Sequence, residues 1–406
     1  MAEFKDREHY IPLRPGELID LLCADTDPAT GRPLSHAEQY GFRRLCRHLA
    51  DHYHLVYFGH LRKLKDAYAP FDPDADTQTL ATLTDGERRE RLDRLFTEFD
   101  WLLGRANYCR LSHDDIRAVT EVASDWGLNM DVDFDVFERL EVYYRGDTAG
   151  ERVLRRLRNW YRRETVTVPQ LQRLVLILKQ RPHPRLGKNP DTRNVFLKLF
   201  KDIPKIDVEM LLPGAELRMP KLQRGKLGMS MAGTVGFVAW KIAREINNIL
   251  LANPLTFYGP LSLVLGYGYR QWAGFQSVRK SYSLQLTQSL YYQNLDNNAG
   301  VVHRLLDAAE EQECREAVLA YFFLWRCAGA DGWTPERLDD ATEEYLDRRA
   351  GVRVDFEIGD ALDKLVALRF VEAAGGAYRA VPIEQALRLL GGADARCAYD
   401  GQEVIP

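Results

Sequence analysis

The sequence predicts an α+β protein, mainly helical, arranged in four blocks. These are an acidic helical domain (1–130), a small basic α+β domain (131–226), an apolar hairpin (227–275) and a helical, winged-helix-like acidic domain (276–406). Three observations carry the prediction. Apolar residues recur at three- and four-residue steps in the outer blocks, alternation and β-branched runs mark the second block, and charge disappears in the third.

In the first block, Phe42, Leu45, Leu49, Tyr53, Val56, Tyr57, Leu61 and Leu64 form one apolar stripe, which predicts a helix over about 36–68. Two prolines in the loop that follows end it. Leu92, Leu95, Phe96, Phe99, Leu102 and Leu103 predict a second helix over about 84–107, and Ser112 ahead of two aspartates reads as a further helix start. Near residue 130 the period falls to two: Val132, Phe134 and Val136 alternate with Asp131, Asp133 and Asp135, the signature of a strand. Further strands are expected at 164–180, 193–201 and 214–222. The chain is read as helical from 276 to about 329. It then continues as helices at 316–327, 335–348 and 355–373, an extended piece at 377–381 and a last helix at 384–390, an order that resembles a winged-helix module.

Charge is segregated. Residues 152–226 hold 19 Lys/Arg against 6 Asp/Glu, in a chain whose formal net charge is -4. Soon afterwards Ile249–Tyr269 runs for 21 residues without a charge, enough for a helix to cross a hydrocarbon core of about 30 Å. A basic block leading into an apolar run suits a protein that presses on or enters an anionic membrane. Leu227–Tyr269 is therefore expected to form a membrane hairpin turning near Asn247 and Asn248. The competing reading is a pair of core helices interrupted by Pro254 and Pro260, and Lys241, Arg244 and Glu245 break the first half.

The basic block itself admits three readings: a solvated face, a lipid-facing patch, or a nucleic-acid surface, since Trp160 and Tyr161 sit among the arginines of 155–163. The acidic blocks on both sides disfavour nucleic acid. The expected lipid-contacting residues are Arg155, Arg156, Arg158, Arg162, Arg163, Lys221, Arg224 and Lys226. The helix expected at 355–373 would be the recognition helix of the winged-helix module, but it is net negative and cannot comfortably approach phosphates, which leaves a protein-interaction role.

Chemistry-bearing motifs are sparse. His48 and His52 stand one helical turn apart but lack the frame of a metalloprotease. Asp72, Asp74 and Asp76 open like a calcium loop, yet Thr77 and Leu83 occupy the places that need Gly and Glu. The six cysteines form no CxxC pair, as in a reduced, cytosol-facing protein, and the first residues lack a secretory pattern. No phosphate-binding loop, nucleophile elbow or kinase set is present. No catalytic residue, metal ligand or cofactor is assigned.

The strings NPLTFYGPLSLVLGYGYRQ (253–271), SLYYQNLDNNAGVVHRLLDAAEEQECREAVLAYFFLW (289–325), VDFDVFERLEVYYRG (132–146) and VFLKLFKDIPKIDVEMLLPGAELRM (195–219) resemble the transmembrane protein 143 family, here as a bacterial member. The family's shared region is a domain of unknown function. The resemblance implies a membrane protein with a pair of spans and no catalytic residues to carry over.

Together these readings predict a membrane-associated, non-enzymatic scaffold or interaction protein, anchored by the apolar hairpin and a basic lipid-facing surface. Its expected location is the bacterial inner membrane with soluble domains in the cytoplasm. Its expected partners are anionic membrane lipid and a protein bound through the acidic C-terminal block. The alternative is a soluble nucleic-acid-associated regulatory protein using the basic face and winged helix. A third option places a metal among Asp72, Asp74 and Asp76 or among Asp131, Asp133 and Asp135.

Overall fold

The computed structural model describes residues 9–26, 31–77, 83–112, 129–155, 163–187, 189–218 and 291–389, with Gly266 and Tyr269 as isolated positions. It is an α+β fold in which helices cover one face of a five-stranded antiparallel sheet.

Short α1 (Pro15–Ala24) leads to α2 (His36–Tyr68), which begins at a reciprocal cap: Glu38 N–H donates to the Ser35 hydroxyl, and Ser35 N–H donates to the Glu38 carboxylate. Its buried stripe is the expected one, from Phe42 through Leu49 and Tyr57 to Leu64. The helix α3 (Asp85–Arg105) starts at the same device built from Thr84 and Glu87. The helix α4 (Ala299–Arg326) differs in kind. Every residue from Gln312 to Leu324 is buried, so its second half has no solvent face and needs walls on all sides. Phe42 of α2 packs on Phe322 at 5.2 Å and stacks on Trp325 at 6.0 Å. Behind α4 come α5 (Pro335–Ala350) and α6 (Ile358–Ala367), followed by the hairpin β8 (Val371–Ala374) and β9 (Ala377–Ala380). Trp333 and Tyr378 exchange backbone hydrogen bonds at 2.9 and 2.7 Å and tie this hairpin to the start of α5.

The sheet runs β1 (Cys109–Arg110), β3 (Phe137–Arg155), β4 (Arg163–Gln180), β5 (Val195–Pro204) and β7 (Asn294–Asn297) across its width. A separate pair joins β2 (Asn129–Asp131) to β6 (Glu216–Arg218). One sheet face, with Tyr143, Val175, Ile177, Val195, Leu197 and Leu199, joins the helical core. The other, with Val142, Leu174, Leu176, Leu178 and Phe200, packs under Val208, Leu211 and Leu212 in and after a 3-10 segment, Lys205–Leu211. Burial on both faces explains why the centre of β4 reads as an unbroken apolar run instead of an alternation.

The ladder changes parity near one end. Arg145 pairs with Arg173, and Asp147 with Leu171, leaving Gly146 and Gln172 outside the register. Gly146 has φ +77° and Asp202, at the same level of β5, has φ +52°. The result is that Leu171 and Ile203 turn into the far core, although the alternation from Val175 and Leu199 would aim them at the helices.

Four expectations are corrected. The alternation at 132–136 is not a strand: Asp133 accepts from Asp135 N–H at 3.1 Å and closes a 3-10 turn, Phe134–Val136, so the strand starts at Phe137. The helix read at 355–373 is only Ile358–Ala367, because Arg369 takes φ +59° and the chain turns into β8. The basic block is not a small sheet, since β3 and β4 hold 19 and 18 residues. Finally, the apolar membrane hairpin and the inner-membrane location drawn from it are withdrawn. Among the described residues no helix is long and apolar enough to cross a membrane. Of 227–275 only Gly266 and Tyr269 are described, both helical and exposed.

A Cβ at position 146 would meet the Gln172 side chain at 2.7 Å and force a left-handed conformation on an L side chain. Gly146→Ala is expected to lower stability by about 1–2 kcal/mol, read as a shift of the urea midpoint at constant slope. An unchanged midpoint would refute this account of the parity change.

Candidate functional site

The sequence-predicted basic residues fall on a projecting arm. β3 and β4 stay paired from Phe137 opposite Gln180 to Arg155 opposite Arg163, whereas β5 accompanies β4 only between Lys179 and Gln170. Ala149–Arg155 and Arg163–Pro169 therefore pair, among the described residues, with each other alone and leave the sheet as a two-stranded ribbon, about 23 Å long at strand rise. Its described end carries Arg152, Arg155 and Arg163, and the register sets the backbones of Arg155 and Arg163 directly opposite each other. Arg156, Arg158, Arg162, Lys221, Arg224 and Lys226 lie outside the described residues.

The aspartate groups read from sequence as cation sites act as turn-formers. Asp72 accepts from Asp74 N–H at 3.0 Å, and Asp74 accepts from the Asn298 amide. Asp133 caps its own turn and stands 3.6 Å from His183 and from Arg185. Among the histidines, His54 meets Glu310 at 3.1 Å, and His60 stacks on Trp101 at 4.0 Å.

A different constellation lies where α2, α3, α4 and α6 meet, and sequence reading missed it. Glu313 and Glu316 of α4 and Asp360 of α6 bring carboxylate oxygens within 4.8 Å of one another. Arg105, at the end of α3, donates to Glu313 at 3.3 Å and also to Asp360. Lys364, one turn beyond Asp360, contacts both of those carboxylates. Glu316 instead accepts from the Gln312 amide at 2.7 Å and the Asn107 amide at 3.2 Å. The Tyr53 hydroxyl is buried beside this group without a hydrogen-bond partner among the described residues.

Burial dominates the electrostatics. It pushes Glu316 up to about 8, against the two amide donors. Burial and then the Arg105 guanidinium pull Lys364 down to about 6, while the carboxylates it touches act in the opposite sense. A divalent cation fits poorly: it would have to displace Lys364 and lie beside a guanidinium that does not give up its proton. The arrangement is a charge-compensated lock between α3, α4 and α6. The only hint in the sequence is a polar cluster, Glu310–Glu316, leading directly into the apolar run Ala317–Leu324.

The raised Glu316 has a pH consequence. Relative to a permanently neutral side chain, its contribution to stability is present below about 4.5 and is lost as pH rises through about 8. Glu316→Gln should match the wild type near pH 4.5 and exceed it increasingly above, by roughly 1 kcal/mol per pH unit up to about pH 8. Taking the difference between the two proteins removes the opposite trend of Lys364. A difference that stays constant with pH would show that Glu316 is ionised throughout.

The helix expected from sequence to serve as a recognition helix is α6. Its Ala361, Leu362 and Leu365 are buried and its Asp360 and Lys364 belong to the lock, which leaves Gly359, Asp363, Val366 and Ala367 exposed. That face carries no base for a phosphate. Residues 137–300, which span β3 to the first turn of α4, match the model of a family described as protein of unknown function (DUF3754). The match supports an uncharacterised-domain family and extends neither to the transmembrane protein 143 name nor to a bacterial origin. No solved structure matches the chain.

Proposed function

We propose that this is a non-enzymatic interaction protein that docks on anionic lipid through the tip of the β3–β4 arm. The observation that carries the reading is the arm itself: a ribbon that leaves the sheet where β5 stops and bears Arg152, Arg155 and Arg163 at its described end. The sequence between them adds Arg156, Arg158 and Arg162 with Leu157, Trp160 and Tyr161, and contains no acid. Bases beside Trp and Tyr suit the headgroup level of a bilayer, where the rings sit in the interface and the charges meet phosphate. Contact of this kind is peripheral and needs no spanning helix.

Vesicle co-sedimentation tests the reading. The full chain should bind phosphatidylserine-containing vesicles and not pure phosphatidylcholine, and should be released by salt. With each base near the surface worth about 1 kcal/mol, reversing Arg155, Arg156, Arg162 and Arg163 to Glu should weaken binding at least a hundredfold. Unchanged binding of that variant, or arm-dependent binding to single-stranded RNA in place of vesicles, would overturn it.

A further inference from the structure

At the base of the arm three bases stand in line across three strands. Arg145 of β3 is directly opposite Arg173 of β4, and Arg173 is directly opposite Lys201 of β5. The adjacent row is Tyr143, Val175 and Leu199, all three in the helical core. By alternation the basic row lies on that same face, one step nearer the arm. Side chains directly opposite on neighbouring strands lie about 5 Å apart, and like charges so placed destabilise the sheet. Here that occurs twice in succession.

Nothing among the described residues compensates the row. Arg145 donates to the Ala106 carbonyl at 3.0 Å, and its guanidinium lies 3.7 Å from the Tyr10 ring centre and 4.7 Å from that of Tyr108. Arg173 donates only to the Gln172 carbonyl, at 2.8 Å. No carboxylate among the described residues pairs with Arg145, Arg173 or Lys201. The nearest acids of β7 and α4 are engaged elsewhere: Asp296 with Arg304 at 2.6 Å, and Glu311 with Arg315. Asp307 lies between Arg304 and Arg315 and is itself raised by burial and by Glu311. Burial, with Arg173 and Arg315 nearby, correspondingly lowers Arg145.

We propose that this row is the floor of a binding site for a phosphomonoester. Arg145 is the fixed element, clamped between two tyrosine rings and a carbonyl. Arg173 and Lys201, half-buried and without a carboxylate, are the elements that close on the ligand. A phosphomonoester brings close to two charges and three terminal oxygens, enough for a guanidinium fork on one side and an ammonium on the other. A monocarboxylate would leave a base unneutralised. The same chemistry is offered by a soluble phosphorylated molecule and by a lipid headgroup ending in a monoester. The site is separate from the arm tip, so either assignment can fail alone.

The test is thermal unfolding of the full chain at constant ionic strength, with chloride replaced by inorganic phosphate or pyrophosphate, alongside vesicle binding. A saturable rise in Tm over the chloride control is expected. Arg173→Gln with Lys201→Gln should weaken the response at least about tenfold. In chloride alone Arg173→Gln should unfold at or above the wild-type temperature, because it relieves repulsion; a loss of stability there would overturn the proposal. The arm variant with four reversed charges should respond to phosphate as the wild type does. That same variant, on vesicles holding phosphatidic acid, distinguishes the sources. Binding only to such vesicles, lost on Arg173→Gln, assigns the headgroup, and a response to the free anions assigns a soluble ligand. No response in either arm, or a response that survives the double substitution, overturns the site.

Discussion

The enclosure of the second half of α4, Gln312–Leu324, on every side is the constraint from which the remaining architecture follows. A helix with Gln312, Glu313, Arg315 and Glu316 all buried cannot leave those groups without partners, because an unpaired charge in the interior costs several kcal/mol. The partners come from distant parts of the chain. Arg315, 1 % exposed at its side chain, donates to the Ile11 carbonyl at 2.8 Å, and Gln312 accepts from Ile11 N–H at 3.2 Å. Arg105 and Asn107 arrive from the end of α3, and Lys364 from α6. The paths of the N-terminal segment, of α3 and of α6 are thus fixed by the polar side chains of one helix as much as by its apolar ones.

The sheet has a complementary part. Its central strands are held from both faces, by the helices on one and by the segment around Val208–Leu212 on the other. A two-stranded ribbon alone is marginal in water, so an arm is tenable only where its root is clamped in this way. The parity change at Gly146 and Asp202 marks the limit of the clamp. Beyond it β5 follows for only Asp202–Pro204, and past Gln170 β3 and β4 have, among the described residues, only each other. The acidic outer blocks build the scaffold, and the excess of base is carried by the part that holds the sheet and its arm.

The helical scaffold was legible because its signals are local: the stripe of α2 and the Ser35 and Thr84 caps all act within a few residues. The strands β4 and β5 were legible in position, though the double burial of β4 hid which face mattered. Misreadings occurred where a side chain outcompetes the pattern. Asp133 closes a turn within an alternation, and a left-handed Arg369 ends a helix whose composition would have continued it. The apolar run at 249–269 points to a span by its length, its lack of charge and the basic block ahead of it, and no described helix is long and apolar enough to be one. The lock around Glu313 was illegible for a different reason: its hydrogen-bonding partners stand 208 and 255 positions apart, and no spacing rule spans that distance. The basic row is likewise a property of register, visible only once β3, β4 and β5 are set side by side.

The bond between Ile11 and Gln312 joins residues 301 positions apart. At ordinary rates of synthesis, roughly 5–20 residues per second, the stripe of α2 exists for about 15–60 s before its main wall has been made. During that time α2 can meet α1 and α3, but Phe42 lacks Phe322 and Trp325. The nascent chain is therefore a client for any factor that shields exposed apolar helices, and closure of the core waits for α4. A protein organised around a late central helix has its period of greatest vulnerability on the ribosome.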